Sequence, residues 1–407
     1  MRMASLRIDL TEFAPTLIDP ALLSRPLGEW LWREYDQTRG WLRVEFPDPR
    51  TAYQWRVTSL GWVGVVPLQA DVQLAIAPKV PLHNLFQMWL YAYDLHSFHW
   101  LAGVTQVDSL PAFYQELARL LAQWVQRRLS RGIYRDYVTQ ERPLPFMRGQ
   151  WLWRRSLAPG VPAMYCRYDE FTADTPENQL LAYTLRHILR GGWCAADVQT
   201  AVARAYHHLQ SVTTPVAFQP ADCVNRVYTR LNEDYRPWHA LCRFFLEQSG
   251  PTHQTGEHTM QPFLVNMARL YEQFVAAWLA AHLPYPWRLK AQDKVQLGEQ
   301  GELQFAVDLV IYDEQGRARM VLDTKYKAPQ QVAHADLNQI VTYAQAKACR
   351  EAALVYPAAL AQGLYARLPN VTVRSLVWPL DTELEEAGQQ FLQMLLPVLE
   401  ETKCTNE

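Results

Sequence analysis

A chain of 407 residues is longer than one ordinary hydrophobic core accommodates, so two or three domains are expected. With 49% hydrophobic and 20% charged residues it has the composition of a folded protein, which excludes a largely disordered or collagen-like chain. A net charge of −2 argues against a long DNA footprint gripped by this chain alone. Either the basic residues cluster, or a partner supplies much of the affinity for any nucleic acid.

The opening residues MRMASLRIDLTEFAPT carry Asp9 and Glu12 early and no apolar stretch, so no secretory leader is expected there. No run of 18 apolar residues follows anywhere, and no membrane span is expected. Residues 1–110 read as a β-rich domain. Short apolar runs at 41–46, 53–57, 61–68 and 72–76 are separated by Pro, Asp and Gly. A helix should follow Pro81, where Leu82, Leu85, Phe86, Trp89 and Tyr93 recur at helical spacing.

Residues 111–256 read as a mainly helical middle region, with helices expected at 113–129, 178–189 and 198–209. The stretch 140–174, holding several Pro and Trp residues, reads as loop-rich, and 213–220 and 249–256 as linkers. Most of the 15 Trp and 20 Tyr are expected to be core. The six cysteines, Cys166, Cys194, Cys223, Cys242, Cys349 and Cys404, form no CxxC and share no zinc-like spacing with histidine. Reduced thiols in a cytoplasmic protein fit that scatter. His253 and His258 have no further ligands nearby in sequence and read as surface residues. There is no GxxxxGK[ST] loop and no GxSxG elbow, so neither P-loop nucleotide binding nor serine hydrolysis is expected.

Residues 257–407 change character. A helix at 263–282 is followed by strands, a helix at 335–347, strands at 352–355 and 371–377, and a helix at 381–399. That order makes the last domain α/β and the whole chain an α+β multidomain protein. The informative segment is Phe305 to Tyr326, two β-type runs around a turn at Asp313-Glu-Gln-Gly316. The midpoint between Asp308 and Asp323 falls inside that turn, so a symmetric hairpin sets the two carboxylates opposite each other. Facing residues on paired strands lie about 4.5–5.5 Å apart. Two carboxylates so placed repel unless a cation joins them, and an all-oxygen set suits Mg²⁺ or Mn²⁺. Lys325 lies two residues past Asp323 and so shares its face. It could hold a water, help deprotonate it, or stabilise charge on a phosphate. A plain Asp323–Lys325 ion pair at a strand end is the structural alternative.

Two helices offer supporting groups. Gln339 and Tyr343 stand at i and i+4 on one helix face and could orient a water, Lys325 or a phosphate, or simply cap the sheet edge. Glu272 stands among Leu270, Phe274, Val275 and Trp278 and could reach the metal directly or through water, or face solvent.

Asp308 followed by Asp323-Thr-Lys325 resembles the PD-(D/E)xK nuclease pattern. Its surroundings, Val321-Leu-Asp-Thr-Lys-Tyr-Lys327, Asp336-Leu-Asn-Gln339-Ile-Val-Thr-Tyr343 and Leu354-Val-Tyr-Pro357, resemble the McrC family, the nuclease subunit of McrBC-type modification-dependent restriction systems. Gly64-Val-Val, Ile76-Ala-Pro-Lys79, Arg131-Gly-Ile-Tyr-Arg-Asp-Tyr137, Met147-Arg-Gly149, Tyr168 to Asn178, and Met267 to Glu272 extend the resemblance over nearly the whole chain. Val307 stands where a Pro is common in the pattern. The resemblance implies a C-terminal restriction-endonuclease-like domain that cuts double-stranded, 5-methylcytosine-type modified DNA with Mg²⁺. Asp308, Asp323 and Glu272 would be metal ligands, and Lys325, Gln339 and Tyr343 would assist. It implies a McrB-like AAA+ GTPase ring as partner, docked through the N-terminal and middle regions and stimulated by this chain. Arg131, Arg135 and Arg148 are candidates for reaching the GTP site. A nuclease-inactive assembly factor and a stand-alone repair nuclease are the alternative readings. The intact Asp308, Asp323 and Lys325 weigh against the first, and the long regions outside the nuclease core against the second.

Overall fold

The computed structural model describes residues 6–69, 72–95, 109–156, 164–248, 253–255, 258–260, 262–297, 303–327 and 331–404. In chain order the first segment holds β1 (Leu6–Thr11), β2 (Thr16–Ile18), α1 (Arg25–Leu31), β3 (Leu42–Glu45), β4 (Trp55–Ser59), β5 (Trp62–Gln69), β6 (Val72–Ala77) and α2 (Leu82–Ala92). The middle segment holds α3 (Leu110–Arg131), β7 (Asp136–Leu144), β8 (Gln150–Trp151), α4 (Trp153–Ser156), β9 (Met164–Thr172), α5 (Pro176–Gly191), α6 (Ala196–Gln210), α7 (Tyr235–Glu247), β10 (His253–Thr255) and β11 (His258–Met260). The last holds β12 (Phe263–Asn266), α8 (Met267–His282), β13 (Arg288–Leu297), β14 (Leu303–Tyr312), β15 (Ala318–Thr324), α9 (His334–Ala346), β16 (Glu351–Tyr356), β17 (Tyr365–Arg367), β18 (Thr372–Val377) and α10 (Leu384–Cys404).

These elements form two compact units. One joins Met1–Leu110 to Phe263–Glu407; the other is Pro111–Pro262. The sequence reading separates the N-terminal β-rich part from the C-terminal α/β part. The structure groups them, and β12 is the physical reason. Phe263–Asn266 pairs antiparallel with β5 and completes a sheet ordered β1-β6-β5-β12. The apolar run at 263–265 reads from sequence as the start of a helix. Asn266 ends the strand instead, and its side chain accepts from the Arg269 backbone N–H at 3.0 Å to cap α8. Gly64 makes the pairing fit: its φ is +135°, and a Cβ there would lie 2.0 Å from the Phe263 carbonyl oxygen. A second seam joins α2 to the loop after β18. Asn84, fully buried, donates to the Leu380 and Thr382 carbonyls at 2.9 and 2.7 Å.

The C-terminal half is built on a six-stranded sheet ordered β13-β14-β15-β16-β18-β17. β13, β14 and β15 form an antiparallel meander, whereas β15, β16 and β18 run parallel. Parallel strands covered on both faces read as continuous apolar runs, as in Met320-Val-Leu322 and Ala352-Ala-Leu-Val355. On one face Val310, Val321, Ala352 and Leu354 cluster with Ile340 and Ala344 of α9. The opposite face carries an aromatic cluster, where Trp378 meets Trp278 edge-on at 4.9 Å and Phe391 at 4.8 Å between ring centroids. Gly388 lets α10 close on this cluster, because a Cβ there would meet Trp278 at 2.3 Å.

The middle unit, described by itself, packs α3, α5, α6 and α7 and carries a three-stranded ribbon, β7-β9-β8. Asn178 anchors it, donating to the Tyr134 and Ala173 carbonyls and accepting from the Tyr235 hydroxyl at 2.8 Å. The ribbon occupies the stretch expected to be loop-rich. Burial does not alternate cleanly along β7, whereas β9 sets buried Cys166 and Tyr168 between exposed Arg167 and Asp169, a short period-2 signal inside a Pro- and Trp-rich stretch. Tyr137, Phe146, Trp151, Trp153 and Phe171 in and around it are all about half exposed or more. The expected linker at 213–220 is irregular backbone ending at Pro220, while the side chains of His253 and His258 lie outside the described residues. Among the described residues no helix is long and apolar enough to cross a membrane.

Candidate active site

The β14–β15 hairpin pairs Leu309 with Leu322 and Val310 with Val321, and one step further this register sets Asp308 across from Asp323. The turn is tightened by Gly316 at φ +76° and by a register shift at Ile311/Tyr312, which absorbs the asymmetry before it reaches the aspartates. Asp308 Oδ2 accepts from the Thr324 backbone N–H at 3.3 Å. Asp323 is fully buried, and its Oδ1 has no hydrogen-bond partner among the described residues. Burial first, and the neighbouring Asp308 second, push the Asp323 carboxyl above its ordinary range. Burial also raises Asp308, against the pull of the Thr324 N–H and Lys325.

Lys325 follows from β15, its backbone N–H donating to the Val355 carbonyl at 2.8 Å. Its Nζ lies 2.7 Å from Asp323 Oδ2 and donates to Gln339 Oε1 at 2.9 Å. Gln339 Nε2 in turn donates to the Tyr343 hydroxyl at 2.8 Å. The three residues expected to assist therefore form one connected chain ending on Asp323. Burial alone would lower the Lys325 pKa, but Asp323, Asp336 and Asp308 together raise it. The ammonium is thus held cationic and fixed in direction.

Glu272 of α8 is half-buried, and burial followed by the charge of Asp308 raises its pKa. Its Oε1 accepts a short hydrogen bond from Gln292 Nε2. The structure does not bring it together with both aspartates: among the described residues no three His, Cys, Asp or Glu side chains form a group able to hold a metal ion. The pair Asp308 and Asp323 is what converges. That pair suits a small hard cation, since Mg²⁺ characteristically takes one or two carboxylates and leaves its other positions to water and substrate oxygens. The orphaned, fully buried Asp323 Oδ1 is the observation that fits such an ion, because a buried polar atom without a partner is costly.

Two neighbours carry no role in the sequence reading. Gln292, in β13, adopts a left-handed φ of +49° between the pairs Ala291–Leu309 and Asp293–Val307, which places it beside Asp308. The register runs through this left-handed residue unshifted, and its amide donates to Glu272. Asp336, in the first turn of α9, is buried and holds Lys327 Nζ at 2.6 Å, with Lys325 Nζ 3.9 Å away. An acidic residue opening a helix was the available signal for Asp336; nothing local in sequence marks Gln292. Of the arginine candidates, Arg148 stacks on Tyr168 at 4.0 Å and lies 3.6 Å from Glu170, while Arg131 and Arg135 are exposed.

A family model described as McrBC 5-methylcytosine restriction system component matches residues 57–357. A refined half-complex from a tetradecameric assembly of Thermococcus gammatolerans McrB AAA+ hexamers with bound McrC is similar in structure, with a TM-score of 0.56 at 18% identity. The match covers 96% of this chain and 100% of that one, and at such identity it speaks for the fold. A cryo-EM structure of the Thermococcus gammatolerans McrBC complex matches with a TM-score of 0.43 and 20% identity over 68% of this chain and 88% of that one. No curated protein matches the sequence.

Proposed function

The chain belongs to the McrBC 5-methylcytosine restriction system component family, and we propose that within that system it is the DNA-cleaving subunit, an Mg²⁺-dependent endonuclease of PD-(D/E)xK type. One observation carries this reading: two facing aspartates, one of them buried with an orphaned oxygen, beside a lysine fixed by Asp323 and Gln339.

Asp308 and Asp323 would hold the metal, with Glu272 able to contribute through water. When bound, the ion polarises the phosphoryl oxygen and lowers the pKa of a coordinated water. The rest of the work belongs to the chain. Lys325, fixed by Asp323 and Gln339, presents positive charge toward a phosphate oxygen. Gln339 and Tyr343 fix the direction of that ammonium. Gln292 holds Glu272 beside Asp308.

The partner would be a ring of AAA+ GTPase subunits resembling the Thermococcus gammatolerans McrB AAA+ hexamers with bound McrC. The near-neutral charge of this chain agrees, since recognition of modified DNA would fall to the ring. The exposed aromatic side chains of the β7-β9-β8 ribbon are a surface suited to docking on it. Cys166, Cys194, Cys223, Cys242 and Cys349 are free thiols, in keeping with a cytoplasmic system.

The test pairs two activities. Asp323→Ala should abolish cutting of modified DNA in the presence of the GTPase and GTP, while partner GTP hydrolysis continues. Retained cutting would remove the site from the reaction. Equal GTP hydrolysis with no cutting by the unaltered chain would make it an assembly factor.

A further inference from the structure

A cavity of about 420 Å³ lies next to the candidate site and is used by none of the groups above. It is lined by residues just past the carboxyl ends of five parallel-paired strands. Phe13 follows β1, Lys79 follows β6, Tyr326 and Lys327 follow β15, Pro357 follows β16 and Leu380 follows β18. β1 and β6 are parallel partners in one sheet, and β15, β16 and β18 in the other. Open α/β sheets hold their ligands in the crevice beyond the carboxyl ends of such strands.

The two walls are built to stay together. Glu12 is fully buried, and its Oε2 accepts from the Tyr326 hydroxyl at 3.1 Å and from the Lys79 backbone N–H at 3.4 Å. Phe13 is held at φ +58°, a region bulky residues rarely occupy, and its backbone N–H donates to the Ser59 carbonyl at 3.1 Å. The residue is 38% exposed, and its ring lies 6.4 Å from that of Tyr326. The Lys79 ammonium sits 5.4 Å from the Phe13 centroid, and among the described residues no carboxylate lies within ion-pair distance of it. Lys327 offers a second ammonium and shares Asp336 with Lys325, so the crevice continues the candidate site. Asp381 is the single acidic residue of the lining.

Aromatic faces flanked by ammonium groups are how proteins hold unpaired nucleotides: the base stacks and the phosphate pairs. We propose that this crevice binds one unpaired nucleotide of the DNA strand adjoining the scissile phosphate. Its base lies against Phe13 and Tyr326, and its phosphate against Lys79 and Lys327. The proposal rests on the nuclease reading of the neighbouring site and adds to it a local opening of the duplex during cleavage.

The experiment uses the full chain with a single-stranded oligodeoxynucleotide containing 5-iododeoxyuridine, irradiated and mapped by peptide mass. The cross-link is expected in the peptides holding Phe13 or Tyr326. Lys79→Ala and Phe13→Ala, at exposed and partly exposed positions, should each weaken oligonucleotide binding about tenfold without lowering the unfolding midpoint. Cross-links mapping elsewhere, or binding untouched by both substitutions, overturn the proposal. So does a Lys79→Ala chain that loses the GTPase partner and keeps its DNA binding, since the crevice would then dock protein. Asp323→Ala separates the two readings. If that variant no longer cuts while the cross-link maps elsewhere, the nuclease stands and the crevice falls. If it still cuts, the nuclease assignment falls whatever the crevice binds.

Discussion

The two ends of the β14–β15 hairpin each bury an aspartate, and they treat it in opposite ways. At the turn, Asp313 is 1% exposed and accepts from the Arg317 backbone N–H at 2.9 Å, Arg317 Nε at 3.0 Å and Arg319 Nε at 2.8 Å. Burial alone would raise its pKa, yet these donors hold it below its ordinary value. At the open end, Asp323 is equally buried, faces another carboxylate, keeps one oxygen orphaned, and has its pKa pushed up. A satisfied buried charge is a structural fitting; an unsatisfied one is maintained at a cost to stability and so marks chemistry. The same strand pair holds both, which makes the contrast testable.

The largest expected effect is on catalysis. Asp323→Ala should reduce DNA cutting by about a thousandfold or more, the scale on which loss of one preorganised electrostatic group acts. It should leave the unfolding midpoint of the metal-free protein unchanged or higher. Asp313→Ala should do the reverse. It strands Arg319, which is 5% exposed and also donates to the Thr402 carbonyl of α10, and should cost about 3 kcal/mol in denaturant unfolding. A folded Asp313→Ala chain should still cut. Comparable stability losses from both substitutions would break the comparison.

Gln339→Ala should lower cutting by about 10–100-fold, as loss of an orienting neighbour does, with substrate affinity little changed. Gln339→Glu should restore activity only in part, because a carboxylate reverses the contact by accepting from the Tyr343 hydroxyl and adds a fourth negative charge around Lys325. The smallest effect is a pair of pH slopes in metal-free unfolding. Asp313 has a depressed pKa, so its stabilisation is present above the ordinary carboxylate value of 3.8 and is lost as pH falls below it. Asp323 has a raised pKa, so the folded state favours its proton. Stability then declines as pH climbs from 3.8 toward the raised value. Asp313→Asn and Asp323→Asn should each flatten one slope, measured by the midpoint of chemical unfolding between pH 3 and neutrality (about 7).

Much of the site was legible because a hairpin's register follows from arithmetic. The pairing of Asp308 with Asp323, the shared face of Lys325 and the i, i+4 spacing of Gln339 and Tyr343 all follow from strand and helix periods. What escaped depends on distant or irregular backbone. Gln292 reaches Glu272 through a left-handed kink in the middle of a strand. The helix Tyr235–Glu247 was missed although Trp238, Leu241, Cys242 and Phe245 recur at helical spacing, because Pro237 reads as a breaker when it lies in the first turn. The strand Phe263–Asn266 was absorbed into α8, since its three buried apolar residues continue the helix's own apolar content. The grouping of the first and last thirds of the chain was lost with it.

That short strand also fixes the order in which the protein can be made. The edge beside β5 stays open until Phe263–Asn266 arrives, roughly two hundred residues later in synthesis. Until then the growing chain carries an unpaired strand edge kept ready by Gly64, the kind of edge that recruits neighbouring chains. The middle unit is synthesised within that interval, and its folding there would shorten the loop that must close. A chain interrupted before residue 263 would keep the β5 edge exposed, and a tendency of such fragments to aggregate is the expected cost of sharing one core between two ends of a sequence.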